Sequence, residues 1–365
     1  MVNLGRDPAE TARLRSRLLD WYAQNRRDLP WRRNPTPYSI WVSEIMLQQT
    51  RVAVVVERYQ AFLARFPTLI ALALAPEEEV LALWSGLGYY RRARMLHKAA
   101  QFVAQQHHGN LPATAEGLRL LPGIGTYTAA AIASIAYGEP VAVVDGNVER
   151  VLCRLAGWEA GSRSGGAALK HQIDTLAGQL VDPERPGDFN QALMELGATV
   201  CLPRNPMCLT CPLASQCQTR GEHKTRPRAR MLSREVGHAL AVRDMGRNGT
   251  EGREVLLEQR PAALTVMPGL WELPALRNAS VPAEDVRMTV RHAIMQVNYY
   301  VRVRNVPEDE VKALTVAGGE RRWVPLAEAG GMALTGLTRK VLSRARLLTA
   351  ARAGSAADHA ERDRL

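Results

Sequence analysis

The chain lacks the features that would place it in a membrane or outside a cell. No uninterrupted apolar run in its 365 residues approaches the roughly eighteen that a spanning helix requires. The N-terminus, MVNLGRDPAETARLR, has no apolar signal core. A cytoplasmic, reducing compartment is therefore expected, and with it little use for disulfides. Internal repeats are missing as well, which excludes solenoids and arrays. The one biased stretch is a polar, Ala-rich tail at residues 351–365, expected to be disordered. Acidic residues are in deficit: 36 Asp and Glu stand against 47 Lys and Arg, a net charge of +11. That balance suits a polyanionic partner, and charge alone goes no further than making nucleic acid plausible. The excess is uneven, because residues 224–234, KTRPRARMLSR, carry five cations and no acid and read as a basic linker.

Cysteine is sparse too, but four of the five, Cys201, Cys208, Cys211 and Cys217, fall in one short segment as C-x6-C-x2-C-x5-C. Four thiolates so close in sequence can converge on one metal centre, and such short intervals make a poor disulfide framework. The single short pair favours iron–sulfur over zinc, which usually shows two such pairs, and leaves zinc open. Cys153 sits in the apolar run Val151 to Leu155 and reads as a buried thiol.

The length is comfortable for two domains, each with its own core. Before the linker, apolar residues recur at helical spacing, broken near Pro67, Pro76, Gly86, Pro112, Pro122 and Gly138. After it, the pattern predicts strands at Val236–Val242, Glu254–Gln259, Val286–Val290 and Asn298–Val306, and helices at Pro325–Ala329 and Leu337–Thr349. The expected organisation is a helical domain at 1–222, a linker at 223–234 and an α+β domain at 235–350.

Within the helical half, Leu121 to Ala136 reads LPGIGTYTAAAIASIA. Pro122, Gly123 and Gly125 break one helix and allow a tight turn, after which Thr126 opens a small-residue helix suited to close packing. A turn of this kind presents backbone N–H groups to a phosphate at a helix N-terminus, the form of a helix-hairpin-helix; a plain hairpin without ligand is the alternative. Further on, VAVVDGNVERV places Asp145 at an acidic turn before another helix, where it can serve as an N-cap.

Hairpin, downstream aspartate and four-cysteine loop, in this order and spacing, resemble the iron–sulfur branch of the helix-hairpin-helix DNA glycosylases over residues 10–220. LPWR at Leu29–Arg32, SEIMLQQT at Ser43–Thr50, WSGLGYYRRA at Trp84–Ala93 and NQALMELGA at Asn190–Ala198 are similar to the MutY-type, adenine-specific members. MPGLWELP at Met267–Pro274 resembles their Nudix-like C-terminal domain. The resemblance implies a mostly α helix-hairpin-helix glycosylase domain with a 4Fe–4S loop held by the four cysteines, then an α+β Nudix-like domain. The implied partner is double-stranded DNA with adenine opposite 8-oxoguanine or guanine, bound by a nucleoid-associated monomer.

It also assigns residues. Bifunctional relatives of the endonuclease III branch place a lysine after the hairpin as an amine nucleophile; here Tyr127 stands there, and a phenol forms no imine, so base excision by water is implied. Glu44 matches the acid of the adenine-specific branch, and its neighbours Trp41, Val42, Ile45, Met46 and Leu47 argue against simple exposure. A protonated Glu44 suits donation to adenine N7 and then activation of water, while the Asp145 carboxylate, with the Tyr127 hydroxyl, suits an oxocarbenium-like sugar. Asn147 either orients a carboxyl or caps a helix. Adenine must leave the stack for such groups to reach it. Gln49 and Tyr89 match stack-wedging positions, with Gln48 beside them; Arg27, Trp31, Arg32 and Gln191 match or neighbour the base pocket, and Arg204 in the cysteine loop matches a phosphate contact. Core packing is the alternative for Trp31 and Tyr89.

In the second domain, REVLLEQ at Arg253–Gln259 has too few acids for a metal-holding hydrolase box, so binding without hydrolysis is expected. Where many members carry Phe-Ser-His after His292, this chain has Ile294, Met295 and Gln296, leaving Gln296 as the candidate contact to the oxidised base. A glycosylase of other base preference and a non-catalytic, redox-sensing DNA-binding protein are the competing readings; simple binding needs none of Glu44, Asp145 and Tyr127.

Overall fold

Short polar caps and prolines start the helices of the N-terminal half. Asp7 accepts from the Ala9 and Glu10 amides to open helix Pro8–Asn25, and Thr36 and Ser39 form a reciprocal capping box on helix Pro37–Leu47. Thr68 and Thr114 cap Leu69–Leu74 and Ala115–Arg119 by accepting from the Ala71 and Gly117 amides. The computed structural model describes residue 5 and residues 7–158, 166–223, 230–245, 252–276, 281–314 and 319–348. Half of the expected linker, 224–229, and the tail expected to be disordered, 351–365, lie outside these residues.

The chain divides into two compact units, Met1–Ala75 with Arg92–Arg228, and Pro76–Arg91 with Ala229–Leu365. The first is helical. Helix Pro37–Leu47 is buried from Tyr38 to Met46, its apolar residues spread round the helix with Ser39, Ser43 and Glu44 among them, so it presents no solvent face. It packs on Thr126–Tyr137, whose alanines permit close approach, and helix Pro186–Thr199 packs on Thr126–Tyr137, Gly146–Ala156 and Pro8–Asn25. At Gly197 an added Cβ would meet the Asn147 Cβ at 2.7 Å, so glycine is what lets helix Pro186–Thr199 lie against the start of Gly146–Ala156.

The second unit holds seven strands among its described residues: β1 (Leu232–Leu240), β2 (Val242–Asp244), β3 (Arg253–Gln259), β4 (Trp271–Glu272), β5 (Val286–Ile294), β6 (Val297–Asn305) and β7 (Arg321–Pro325). One sheet runs β1-β6-β5, with β1 parallel to β6 and β5 antiparallel to it; in the other, β3 pairs with β2, β4 and β7. Val255, Leu257, Val290, Val301, Val303 and Val324 from both sheets share a core with helix Gly336–Arg344. β1 starts four residues earlier than its apolar run, because pairing with Val297–Arg304 holds its exposed start extended. The last helix stops at Arg344 rather than Thr349, with Arg346 in the left-handed region at φ 57°. Within this unit the Tyr90 hydroxyl donates to the Leu334 carbonyl at 2.9 Å, and Arg339 donates to Ser85 Oγ at 2.7 Å.

Candidate active site

Glu44 sits on the most buried helix of the first unit and is itself only 7% exposed. The Tyr127 hydroxyl donates to its Oε2 at 2.9 Å and lies 3.5 Å from Met194 Sδ. Burial disfavours the Glu44 carboxylate and lifts its pKa to about 7; the Tyr127 bond opposes that rise, the Asp145 charge adds to it and Arg32 opposes it. The Tyr127 phenol is pushed well above its ordinary value by burial, and then by Glu44 and Asp145. This is a carboxyl that can hold or release a proton near neutrality.

Asp145 is the N-cap of helix Gly146–Ala156. Its Oδ1 accepts from the Asn147 and Val148 amides at 2.9 and 2.7 Å, and Asn147 Nδ2 donates to Oδ2 at 3.1 Å. Capping and facing the site are therefore compatible: the cap holds the carboxylate at a helix N-terminus, and Asn147 pins the second oxygen. Asn190, buried at the far side, accepts from the Val143 amide at 3.1 Å and donates to the Val141 carbonyl at 2.8 Å, which fixes the strand-like approach to Asp145.

These groups line a cavity of about 830 Å³ together with Arg27, Trp31, Arg32, Gln48, Gln49, Gly123, Gly125 and Gln191. Trp31 lines it while stacking edge-on against Tyr59, so core packing and pocket wall are one role. Arg27 and Arg32 converge on Glu195, whose side chain is 1% exposed: Arg27 Nε and Nη2 donate at 2.6 and 3.0 Å, and Arg32 Nη2 at 2.9 Å. Burial alone would raise the Glu195 carboxyl, but the two guanidinium groups win and hold it below its usual range. Glu195 was visible only as part of NQALMELGA; what gives it weight is the pair of arginines that arrives from the other end of the unit.

Arg92 was likewise missed. Its Nη1 donates to the Ile45 and Met46 carbonyls at 2.7 and 3.1 Å and also to the Gln48 carbonyl, closing the C-terminus of the Glu44 helix. The turn that follows places Gln49 at φ 55°, an uncommon backbone for a residue with a side chain and one that recurs at functional sites.

At the hairpin, Gly123 has φ 76° and an added Cβ would lie 2.5 Å from the Met95 Cβ, so glycine is required there. Gly125 differs from the sequence expectation. Its φ of −90° is open to any residue and nothing stands within 4 Å of a Cβ, so the turn does not need it. What Gly125 leaves is a helix start with no side-chain cap, beside open space.

A helical pair ending in an uncapped N-terminus, next to a buried carboxyl–phenol pair, is the geometry in which the similarities fall. The family model described as HhH-GPD superfamily base excision DNA repair protein matches residues 42–168, spanning Glu44, the hairpin and Asp145. A solved thermostable thymine-DNA glycosylase is 31% identical with a TM-score of 0.53, and the match covers 59% of this chain and 99% of that one. The chain belongs to the HhH-GPD superfamily. It is 41% identical over 348 residues to the adenine DNA glycosylase of Homo sapiens, covering 80% of this chain and 62% of that protein. With the Mus musculus adenine DNA glycosylase it is 52% identical over 221 residues, covering 58% and 42%. The chain thus spans less than two thirds of the length of these curated relatives.

In this HhH-GPD protein, Cys201, Cys211 and Cys217 flank the core that contains Val200 and Leu213. Arg154 Nη1 donates to Cys201 Sγ at 3.3 Å, and Cys217 Sγ donates to the Arg154 carbonyl at 3.3 Å. Burial pushes the Cys211 thiol up to about 11; a backbone hydrogen bond at Leu213 opposes the rise, and Cys201, Cys217 and Cys208 add to it. Four thiols are the donor chemistry of a thiolate-held cluster, while no three His, Cys, Asp or Glu among the described residues are grouped as for a single metal ion. Arg204 projects from this loop and is exposed. In the second unit Tyr89, at φ 47°, is 48% exposed, and Met295 and Gln296 form the exposed tip of the β5–β6 hairpin. No helix among the described residues is long and apolar enough to cross a membrane.

Proposed function

We propose that the chain is a monofunctional adenine DNA glycosylase of base excision repair, hydrolysing the N-glycosidic bond of adenine opposite 8-oxoguanine or guanine in double-stranded DNA. The observation that carries this is the Glu44–Tyr127 pair: a buried carboxyl with a pKa of about 7 inside a cavity that Asp145 borders. Tyr127 occupies Oε2, so a proton on Oε1 is the one free to reach adenine N7. As the C1′–N9 bond breaks, Asp145 and the Tyr127 oxygen face the cationic sugar, and the Glu44 carboxylate left behind takes a proton from the attacking water. Tyr127 in the nucleophile position supports release without strand cleavage, since no imine can form.

An adenine turned out of the stack would meet Trp31 and the amide of Gln191 in the same cavity, with Arg27 and Arg32 held still by Glu195. Gln49 and Tyr89 are the wedge candidates, and the Gly123–Gly125 turn and Arg204 the phosphate contacts. Cys201, Cys208, Cys211 and Cys217 would hold a 4Fe–4S cluster, which staples the loop and, being fully cysteine-ligated, offers substrate no open iron. The second unit reads as a Nudix-like domain that recognises the oxidised base through the Gln296 hairpin tip without hydrolysing it.

Single-turnover excision on duplexes carrying adenine opposite 8-oxoguanine, guanine, cytosine and thymine, followed by alkali, tests the reading. Abasic sites should form with the first two and not the others. Excision of a different base, or none, overturns it.

A further inference from the structure

Several arginines of the second unit are paired with carboxylates. Arg243 meets Glu254 and Glu308, Arg253 meets Asp244, Arg260 meets Glu272, and Arg304 meets Asp285 and Glu310. One edge departs from this. β5 is the outer strand of its sheet, and Arg287 and Arg291 are both exposed on it, Arg287 at a register irregularity between Val286 and Met288. Lys340 and Arg344, one helical turn apart on Gly336–Arg344, reach the same strand and donate to the Arg291 and Thr289 carbonyls at 2.8 and 3.3 Å.

All four cations have only neutral partners among the described residues. Arg287 donates to Asn305 Oδ1 at 2.8 Å, and Arg291 donates to Asn298 Oδ1 at 3.3 Å and lies 5.9 Å over the Tyr300 ring. The acids just before the strand do not fill the gap: Asp285 faces Arg304, and Glu284 makes no ion pair among the described residues. Lys340 and Arg344 thus occupy two carbonyls of the β5 edge, which hinders strand addition there. From Arg287 to Arg291 the strand advances about 13 Å, and one strand of B-DNA carries a phosphate every 3.4 Å or so along the axis. The strip is long enough to meet more than one phosphate of a strand.

We propose that the Arg287–Arg291–Lys340–Arg344 edge binds the sugar-phosphate backbone of duplex DNA, giving the second unit an affinity for DNA that is independent of the base read at the hairpin tip. The inference rests on the DNA-directed reading above. Its occupant is a phosphodiester backbone because four uncompensated cations on a rigid edge match a line of single negative charges, and the arginine on a tyrosine ring keeps a planar donor facing outward.

The test is the salt dependence of full-length protein binding to an undamaged duplex. In the variant Arg287→Gln/Arg291→Gln/Arg344→Gln, the slope of log affinity against log salt should become shallower by about 2 to 3, at roughly 0.9 for each phosphate no longer neutralised. Single-turnover excision at saturating enzyme should stay unchanged. Arg243→Gln/Arg304→Gln, which removes cations that already have carboxylate partners, should leave the slope where it was. Should the triple variant unfold, Lys340→Gln/Arg344→Gln carries the same test with a change of about 1 to 2. A parental slope in the edge variants, an equal loss in the control, or a loss confined to anionic phospholipid vesicles overturns the proposal. Absence of adenine excision by the parent would sink the catalytic reading and leave this slope comparison intact.

Discussion

Replacing Glu44 by glutamine offers the sharpest test of the site, because the same burial that tunes its proton destabilises the folded chain. Glu44 is protonated up to about pH 7 when folded and up to about 4.5 when unfolded. Its folded pKa is raised, so the stability it contributes is full below pH 4.5 and is lost as pH rises through 7. The gap of about 2.5 units, at 1.36 kcal/mol each, is worth on the order of 3 kcal/mol across that window. A glutamine there would keep the shape and the Tyr127 bond and cannot ionise. Urea unfolding of Glu44→Gln and the parent from pH 5 to 8 should therefore give curves that separate steadily, the variant gaining about 2 to 3 kcal/mol on the parent. Excision should fall to background while mispair affinity stays within about tenfold. Parallel stability profiles would show that Glu44 is solvated, and residual turnover would show that it is not the acid.

Asp145→Asn removes the charge that lifts Glu44, so the falling limb of any residual pH–rate profile should move to lower pH, with the rate down about a hundredfold or more; a loss confined to thermal stability would leave Asp145 as a cap only. Glu195→Gln leaves two guanidinium groups facing a neutral amide and should cost about 3 kcal/mol in urea unfolding, against which an unchanged midpoint would count. Anaerobically purified protein should be brown with about four irons per chain, and Cys208→Ala should give little soluble holoprotein; stoichiometric zinc in a colourless protein is the opposing result. Gln296→Ala should lose about 1 to 3 kcal/mol of preference for 8-oxoguanine over guanine opposite adenine if the amide touches the base; equal excision ratios in parent and variant would move recognition elsewhere.

Much of this was legible one residue at a time. The cysteine spacing, the LPGIG turn, Tyr127 in place of lysine and the acid in SEIMLQQT are local patterns, and local patterns are what a chain states without folding. The capped, proline-led helix starts at Asp7–Pro8 and Thr36–Pro37 are local in the same sense. The short strands β2, β4 and β7 left no such trace, being too short for a period and held by partners elsewhere in the unit.

What the sequence determined by itself was therefore the inventory: which groups exist, where turns break the helices, and which chemistry those groups could perform. Only the tertiary structure decided their state. Tyr127 reaches Glu44 across 83 positions, and Arg27 reaches Glu195 across 168, distances at which no periodicity speaks. The raised pKa of Glu44 belongs to the same level, because a proton affinity is set by the water excluded and the charges gathered around a group, and only the folded chain excludes and gathers them.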